Sequence, residues 1–422
     1  MNRLILIGNG FDLAHGLKTS YKDFIEWYWN KVFYELSLCS GKVWSDQFCT
    51  FTLKRNDQSW SNYMFYHISI ISPPNGLEVI GQILNDKENF EVKFSRLFDK
   101  IIKSIETKGW VDIENDYYSL LYTPSLLQKQ IYPKELNKQL DYIKRLLSDY
   151  LLYIQQKALA KSIINKELKE KIFAPIKPCE LVVGAKESLS LFVNNRLNDP
   201  DFSIKDLYER WDKEWNFTIN SEQSKQIKQF KESLNYIGID EFADEEIPDN
   251  FLFPYNMKLL NFNYTEIADQ YIKDSVFEVN HIHGDLNNVE GMIFGYGDEL
   301  DENYKKIQNI NDNEYLKNSK SVRYLEADNY RNMLNFIESG PYQIYIMGHS
   351  CGNSDRTLLN TLFEHENCIS IKPFYYKTDD KSDTYLEIVQ NISRNFTNMK
   401  LMRDRVVNKK YCEALPQVTI KQ

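Results

Sequence analysis

Four short polar motifs hold most of the side chains in this sequence that could do chemistry. They are Gly8-Asn9-Gly10-Phe11-Asp12, Asn263-Tyr264-Thr265, His283-Gly284-Asp285 and Gly348-His349-Ser350. Glycines let a backbone pass close to a ligand, and amide N–H groups at the start of a helix suit an anion, most often a phosphate. An imidazole has an ordinary pKa of about 6.5, so His283 can take up a proton near neutral pH. Asn263 can hydrogen-bond a hydroxyl or a water, and Asp12 can face a developing positive charge. Asp12 also has a purely local use, closing the glycine loop as an Asx-turn.

Each motif follows an apolar run that reads as a strand. Residues 4–7 (Leu-Ile-Leu-Ile) are unbroken and short, as expected of a strand buried on both faces of a parallel sheet. Runs at 258–262, 276–282, 292–294, 343–347 and 369–375 predict the other strands. In open parallel sheets ligands bind outside the carboxyl ends of the strands, so four motifs at four such ends predict one site. Thr265 and Asp355 are read as helix caps, Asp355 ahead of a helix at 358–363. The middle of the chain has helical periodicity at 90–105, 136–168 and 222–237, with Leu140, Ile143, Leu147, Leu151, Ile154 and Ala158 on one stripe. Ser20-Tyr21-Lys22-Asp23 predicts a capping box before an aromatic helix at 24–33.

The expected fold class is α/β, with a doubly wound, mainly parallel sheet and a large α-helical insertion. Residues 1–38 form the first part of the sheet domain, 39–250 the insertion, 251–380 the second part and 381–422 a C-terminal extension. Residues 296–321 are polar and follow Gly295 and Gly297, which predicts either a hinged flap or a plain surface loop.

The 422 residues carry 51 Lys+Arg against 60 Asp+Glu, a net charge of −9, so no nucleic-acid partner is expected. No apolar run approaches the ~18 residues of a membrane span, and no membrane partner is expected. The six cysteines are scattered with no Cys-x-x-Cys, as in reduced cytoplasmic proteins. His281, His283 and Asp285 share a strand face at metal-ligand spacing, but no further ligand is evident and no metal is expected.

Gly8, Gly10 and Gly16 are spaced Gly-x-Gly-x5-Gly, and Leu13 stands where the third glycine of the dinucleotide fingerprint belongs. Gly348-His349-Ser350-Cys351-Gly352 matches the nucleophile elbow of serine hydrolases. However, the only downstream histidine is His365, inside the next helix, so a serine hydrolase using Ser350 is the weaker alternative.

The segment Gly8-Asn9-Gly10-Phe11-Asp12-Leu13-Ala14-His15-Gly16-Leu17, with Thr19-Ser20-Tyr21-Lys22-Asp23-Phe24 after it, closely resembles the opening of the AbiH family. AbiH proteins are bacterial abortive-infection proteins that act against phage. Trp110-Val111-Asp112-Ile113-Glu114, Asn261-Phe262-Asn263-Tyr264-Thr265, His281-Ile282-His283-Gly284, Phe294-Gly295-Tyr296-Gly297-Asp298 and Gly348-His349-Ser350 also resemble that family. The likeness spans nearly the whole chain.

More distantly, the same ordered motifs are similar to the sirtuin-like NAD-binding fold, a Rossmann-like sheet whose Gly-Ala-Gly loop cradles a pyrophosphate. Here Asn9 replaces the small residue, Asp12 a Ser, Lys18 a Pro, and Thr265 an Asp. The zinc ribbon of deacetylating sirtuins has no counterpart, which argues against deacetylation. The resemblance implies that Gly8, Asn9, Gly10, Phe11, Gly16, Gly284, Gly348, His349 and Ser350 bind the nucleotide. It implies that Asn263, His283 and Asp12 act on the nicotinamide–ribose bond of NAD, with no further cofactor required. The expectation is a cytoplasmic anti-phage protein that binds and cleaves NAD as an NAD glycohydrolase does. The alternative is a non-catalytic sensor of NAD or ADP-ribose. A phage-derived trigger and a second copy of the chain are the further partners in view.

Overall fold

The computed structural model describes residues 1–68, 76–108, 112–123, 132–160, 164–199, 201–210, 221–233, 247–377 and 382–417. Its strands are β1 (Asn2–Ile7), β2 (Val43–Ser45), β3 (Cys49–Leu53), β4 (Phe90–Phe94), β5 (Met257–Asn261), β6 (Glu278–His281), β7 (Tyr342–Met347) and β8 (Cys368–Phe374). Five of them form one all-parallel sheet in the order β6-β5-β1-β7-β8.

The alternation of the strands explains why the sheet is covered on both sides. Leu4 and Leu6 join Leu260, Ile344 and Ile346 in a core with Met333, Leu358, Leu359 and Ile392. Ile5 and Ile7 join Leu259, Tyr345 and Met347 in a second core with Phe11, Leu168, Ile172 and Tyr271. All six residues of β1 are buried. The chain moves outward from β1 through β5 to β6, then crosses to the other side of β1 for β7 and β8. The switch point therefore lies between β1 and β7.

Between β1 and β5 the chain builds most of a third, aromatic core, which Tyr264, Phe294 and Tyr296 complete. The helix Tyr21–Leu38 starts at the expected Ser20/Asp23 capping box and buries Phe24, Tyr28, Trp29, Val32 and Leu36 in that core. Phe48 stacks on Phe98 at 4.7 Å. This region is not wholly helical, because β2, β3 and β4 form a three-stranded antiparallel sheet within it. The helix expected over 90–105 is therefore corrected to β4 followed by the helix Arg96–Lys108. Phe90, Val92 and Phe94 alternate with Glu91 and Lys93, and that two-residue period runs directly into a helical stripe. The helix expected over 136–168 divides into Tyr132–Leu159 and Lys166–Ile172, the second capped by the Asn165 side chain. The third is Ser221–Ser233, and its expected end lies outside the described residues.

Residues 292–294 are not a strand. Met292, Ile293 and Phe294 are apolar because they are buried beside the β6 end, where Ile293 N–H donates to His283 O at 2.8 Å. The 296–321 segment is folded, with a helix at Glu302–Gln308 and its two ends tied together. Tyr296 N–H donates to Asn318 O at 3.1 Å, and Lys320 N–H to Tyr296 O at 3.0 Å. A Cβ at Gly295 would collide with Asn318 O, so that glycine permits a close crossing of two chain segments. Among the described residues no helix is long and apolar enough to cross a membrane.

Candidate functional site

Strand β1 runs straight into a short helix, Asn9–Ala14, with Gly8 at its N-cap. The amides of this loop are mostly engaged. Gly8 N–H donates to Met347 O at 3.3 Å, Gly10 N–H to Gly348 O at 2.8 Å, and Phe11 N–H to Gly8 O at 2.8 Å. Of the four amides from Gly8 to Phe11, Asn9 alone has no acceptor among the described residues. A Cβ at Gly10 would lie 2.8 Å from Gly348 Cα. One at Gly8 would overlap His349, and one at Gly348, where φ is +80°, would overlap Phe11 N. The glycines at the switch point thus let the β1 and β7 loops lie against each other as a seam. Gly16, at φ +73°, ends the short helix in the left-handed conformation.

Asp12 is buried within that helix. Thr265 Oγ1 donates to its Oδ2 at 2.6 Å, while Oδ1 has no partner among the described residues. Burial pushes its carboxyl up to about 7, partly opposed by the Thr265 hydrogen bond and the nearby Asn263 amide. Asn263 Nδ2 donates to Gly8 O at 3.0 Å. The end of β5 is braced for this by Asn261, whose Oδ1 accepts from Asn263 N–H and whose Nδ2 donates to Thr265 O. Thr265 is therefore not a helix cap. Its hydroxyl belongs to Asp12, and the 3-10 turn that follows begins later, at Ala268–Tyr271. His15 donates from Nδ1 to Phe11 O at 2.7 Å and accepts at Nε2 from Tyr271 OH at 2.6 Å, which makes it a packed residue beside the loop.

A second group gathers past the ends of β6 and β7. His283 Nε2 lies 3.2 Å from Asp355 Oδ1 and 3.1 Å from Tyr324 OH. His349 Nε2 lies 3.5 Å from Asp355 Oδ2, while its Nδ1 accepts Cys351 N–H at 3.0 Å. Lys320 Nζ donates to Asp355 Oδ1 at 2.8 Å and to Glu114 Oε2 at 2.9 Å. Glu114 Oε1 accepts Gly295 N–H at 3.1 Å. Phe262 joins the two histidines, its ring 5.4 Å from His283 and 4.1 Å from His349. His283, Lys320, Glu114, Asp355, His349 and Tyr324 are all buried.

The charges are mutually dependent. Burial alone would raise Asp355, but the Lys320 ammonium and His283 hold it well below the usual carboxylate range. Burial and Lys320 lower His283, which keeps the imidazole neutral, against the pull of Asp355. Burial raises Glu114, assisted by Asp355 and Asp112, and Lys320 opposes that rise. Lys320 is held firmly protonated between the two carboxylates despite its burial.

Asp355, read from the sequence as a cap, makes no side-chain cap bond to the helix Arg356–Glu364 and points into this network instead. Lys320 and Glu114 escaped sequence reasoning as site residues. Lys320 sits in a polar stretch rich in lysines, which offers no signal. Glu114 lies in Asp112-Ile113-Glu114, whose likeness to AbiH proteins was the available clue; Trp110 and Val111 of that motif lie outside the described residues. Gly284, at φ +78°, turns the chain just after His283. Ser350 is exposed, its side chain hydrogen-bonds no histidine among the described residues, and the positive φ of the turn falls on Cys351, at 54°. A nucleophile elbow places that strain on the serine itself.

A parallel sheet wound on both faces, with a buried acid–histidine–lysine network past its carboxyl ends, defines an α/β protein of Rossmann-like class with an enclosed polar site. The chain belongs to the AbiH family: the model of the bacteriophage abortive infection AbiH proteins matches residues 4–376. That span includes Asp12, Glu114, Asn263, His283, Lys320 and Asp355. The family places the protein in abortive-infection defence against phage. No curated protein and no solved structure matches the chain.

Proposed function

We propose that this abortive-infection protein binds NAD at the switch point and cleaves its nicotinamide–ribose bond with water. One observation carries the reading. A neutral histidine backed by a carboxylate, His283, and a second carboxylate with an oxygen unpaired among the described residues, Asp12, stand past the ends of β6 and β1, the two neighbours of β5. His283 Nδ1 makes no hydrogen bond among the described residues and is the basic nitrogen for a water proton. The water oxygen bonds to ribose C1′, the C1′–nitrogen bond breaks, and its electron pair returns to the nicotinamide ring. The products are ADP-ribose, nicotinamide and a proton. Asp12 faces the positive charge that develops on the ribose, and Asn263 holds a ribose hydroxyl.

The seam between the loops bears on regulation. The Gly8 and Gly10 amides join that of Asn9 in reaching a pyrophosphate once the β1 and β7 loops part, so the resting protein is slow and a phage-derived trigger opens it. The same seam favours a second reading, in which NAD or ADP-ribose parts the loops and is sensed without being cleaved.

The test is nicotinamide release from NAD by purified protein, with and without phage lysate, beside a direct measurement of NAD affinity. His283→Ala is expected to lower turnover ~10²–10⁴-fold with little change in affinity. Binding without release under either condition makes the protein a sensor, and neither binding nor release overturns both readings.

A further inference from the structure

We infer that Asp355 and Lys320 are positioning residues that fix the tautomer of His283, and that Glu114, carried by the insertion, anchors them. The inference rests on reading His283 as the base. An ionised carboxylate only accepts hydrogen bonds. Asp355 receives Lys320 Nζ at 2.8 Å and faces His283 Nε2 at 3.2 Å on the same oxygen. While Lys320 keeps Asp355 ionised, the carboxylate 3.2 Å away favours the hydrogen on Nε2, where the Tyr324 hydroxyl at 3.1 Å takes the hydrogen bond, and Nδ1 keeps its lone pair. His349 agrees with this assignment, since its Nδ1 accepts Cys351 N–H and its Nε2–H is left to face the other Asp355 oxygen.

The titratable groups facing His283 are Asp355 and Lys320, His349 from the β7 loop, and Tyr324, with the Phe262 ring edge-on. Lys320 is the only ammonium among them. Its second partner, Glu114, lies on the helix Ile113–Leu121, which is itself capped by Asp112. The insertion thus supplies the far end of a chain that runs Glu114, Lys320, Asp355, His283, and a displacement of the insertion changes the proton on the base.

The tautomer can be read without any turnover. Protein labelled with ¹⁵N-histidine, with His283 assigned by the signal lost in His283→Gln, should show a neutral Nε2–H imidazole at pH 7. In Asp355→Asn the carboxamide oxygen stays on Lys320 and the negative charge that favours a hydrogen on Nε2 is lost, so the His283 signals should shift toward the Nδ1–H form, and any NAD turnover should fall by 10²-fold or more. In Lys320→Met the unbalanced Asp355 charge should raise the His283 pKa. The acid limb of activity, which needs neutral His283, should then move up by about one pH unit or more. A wild-type Nδ1–H tautomer, or an Asp355→Asn spectrum unchanged at His283, overturns the inference. If Lys320→Met does not fold, the Asp355→Asn spectrum still decides. If the tautomer responds but wild-type protein never cleaves NAD, the positioning chain stands and the hydrolase reading falls.

Discussion

Asp12 has one carboxylate oxygen bonded to Thr265 and the other to nothing among the described residues. Its carboxyl is held at about 7 by burial, so the folded protein keeps a proton there that the unfolded chain releases near the ordinary carboxylate value of 3.8. The folded state binds more protons across that window, so its stability falls as pH rises from about 4 to about 7. Each pH unit in the window costs about 1.4 kcal/mol, and above 7 the cost is fully present. Asp12→Asn keeps an acceptor for Thr265 and removes the ionisation. It should raise stability at pH 8 by an amount on the order of a few kcal/mol, much less at pH 5, while reducing NAD turnover. Urea unfolding at the two pH values checks this, and a loss of stability of equal size at both would contradict it. Asp12, Asn263 and His283 could be singled out in the sequence because each belongs to a polar motif that follows a strand-like run. Asp355 was visible only as a cap, since nothing in a linear sequence shows that the carboxylate faces His283 and Lys320 rather than its own helix.

At the scale of elements, the two loops of the switch point are held by glycines that no other residue can replace. Gly348 combines φ +80° with a Cβ position that overlaps Phe11 N, so Gly348→Ala should destabilise by roughly 3 kcal/mol or more. Gly81, in the helix Gly76–Asn85, has nothing within 4 Å of a Cβ, and Gly81→Ala should stabilise by up to about 1 kcal/mol. Thermal denaturation of the pair separates the seam from a general intolerance of substitution. Gly10→Val would press on Gly348, so its loss of activity would report the seam as well as nucleotide binding. The segment 296–321, with its ends bonded to each other, should exchange amide hydrogens slowly near Tyr296 and Lys320 and faster once NAD opens the site. Exchange there that ignores NAD removes its role in opening. The parallel strands could be read from sequence because burial on both faces keeps them rich in apolar residues, as in Leu4–Ile7 and Ile344–Met347. Strand β4 was missed because it passes into a helix with only Ser95 between, and residues 292–294 misled because an apolar run can line a loop.

Across the whole molecule, the insertion is joined to the sheet at the site. Tyr118 stacks on Tyr296 at 3.8 Å and donates to Asp301, Glu114 binds Lys320, and Tyr264 and Phe294 lie in the same core as Tyr28 and Trp29. The α/β class was legible because the strand signals sit at the two ends of the chain. The meeting of the insertion with the strand ends was not, because contacts between Glu114 and Lys320, 206 residues apart, leave no local pattern. Breaking that buried pair with Glu114→Ala should cost about 3–5 kcal/mol and loosen insertion and sheet together, as a single unfolding transition would report. The most direct test of the central claim is intracellular NAD after phage infection, in cells making equal amounts of the wild-type protein or His283→Ala. NAD should collapse only with the wild type, and only the wild type should protect. Protection that persists while NAD holds steady would contradict NAD cleavage as the function of this site.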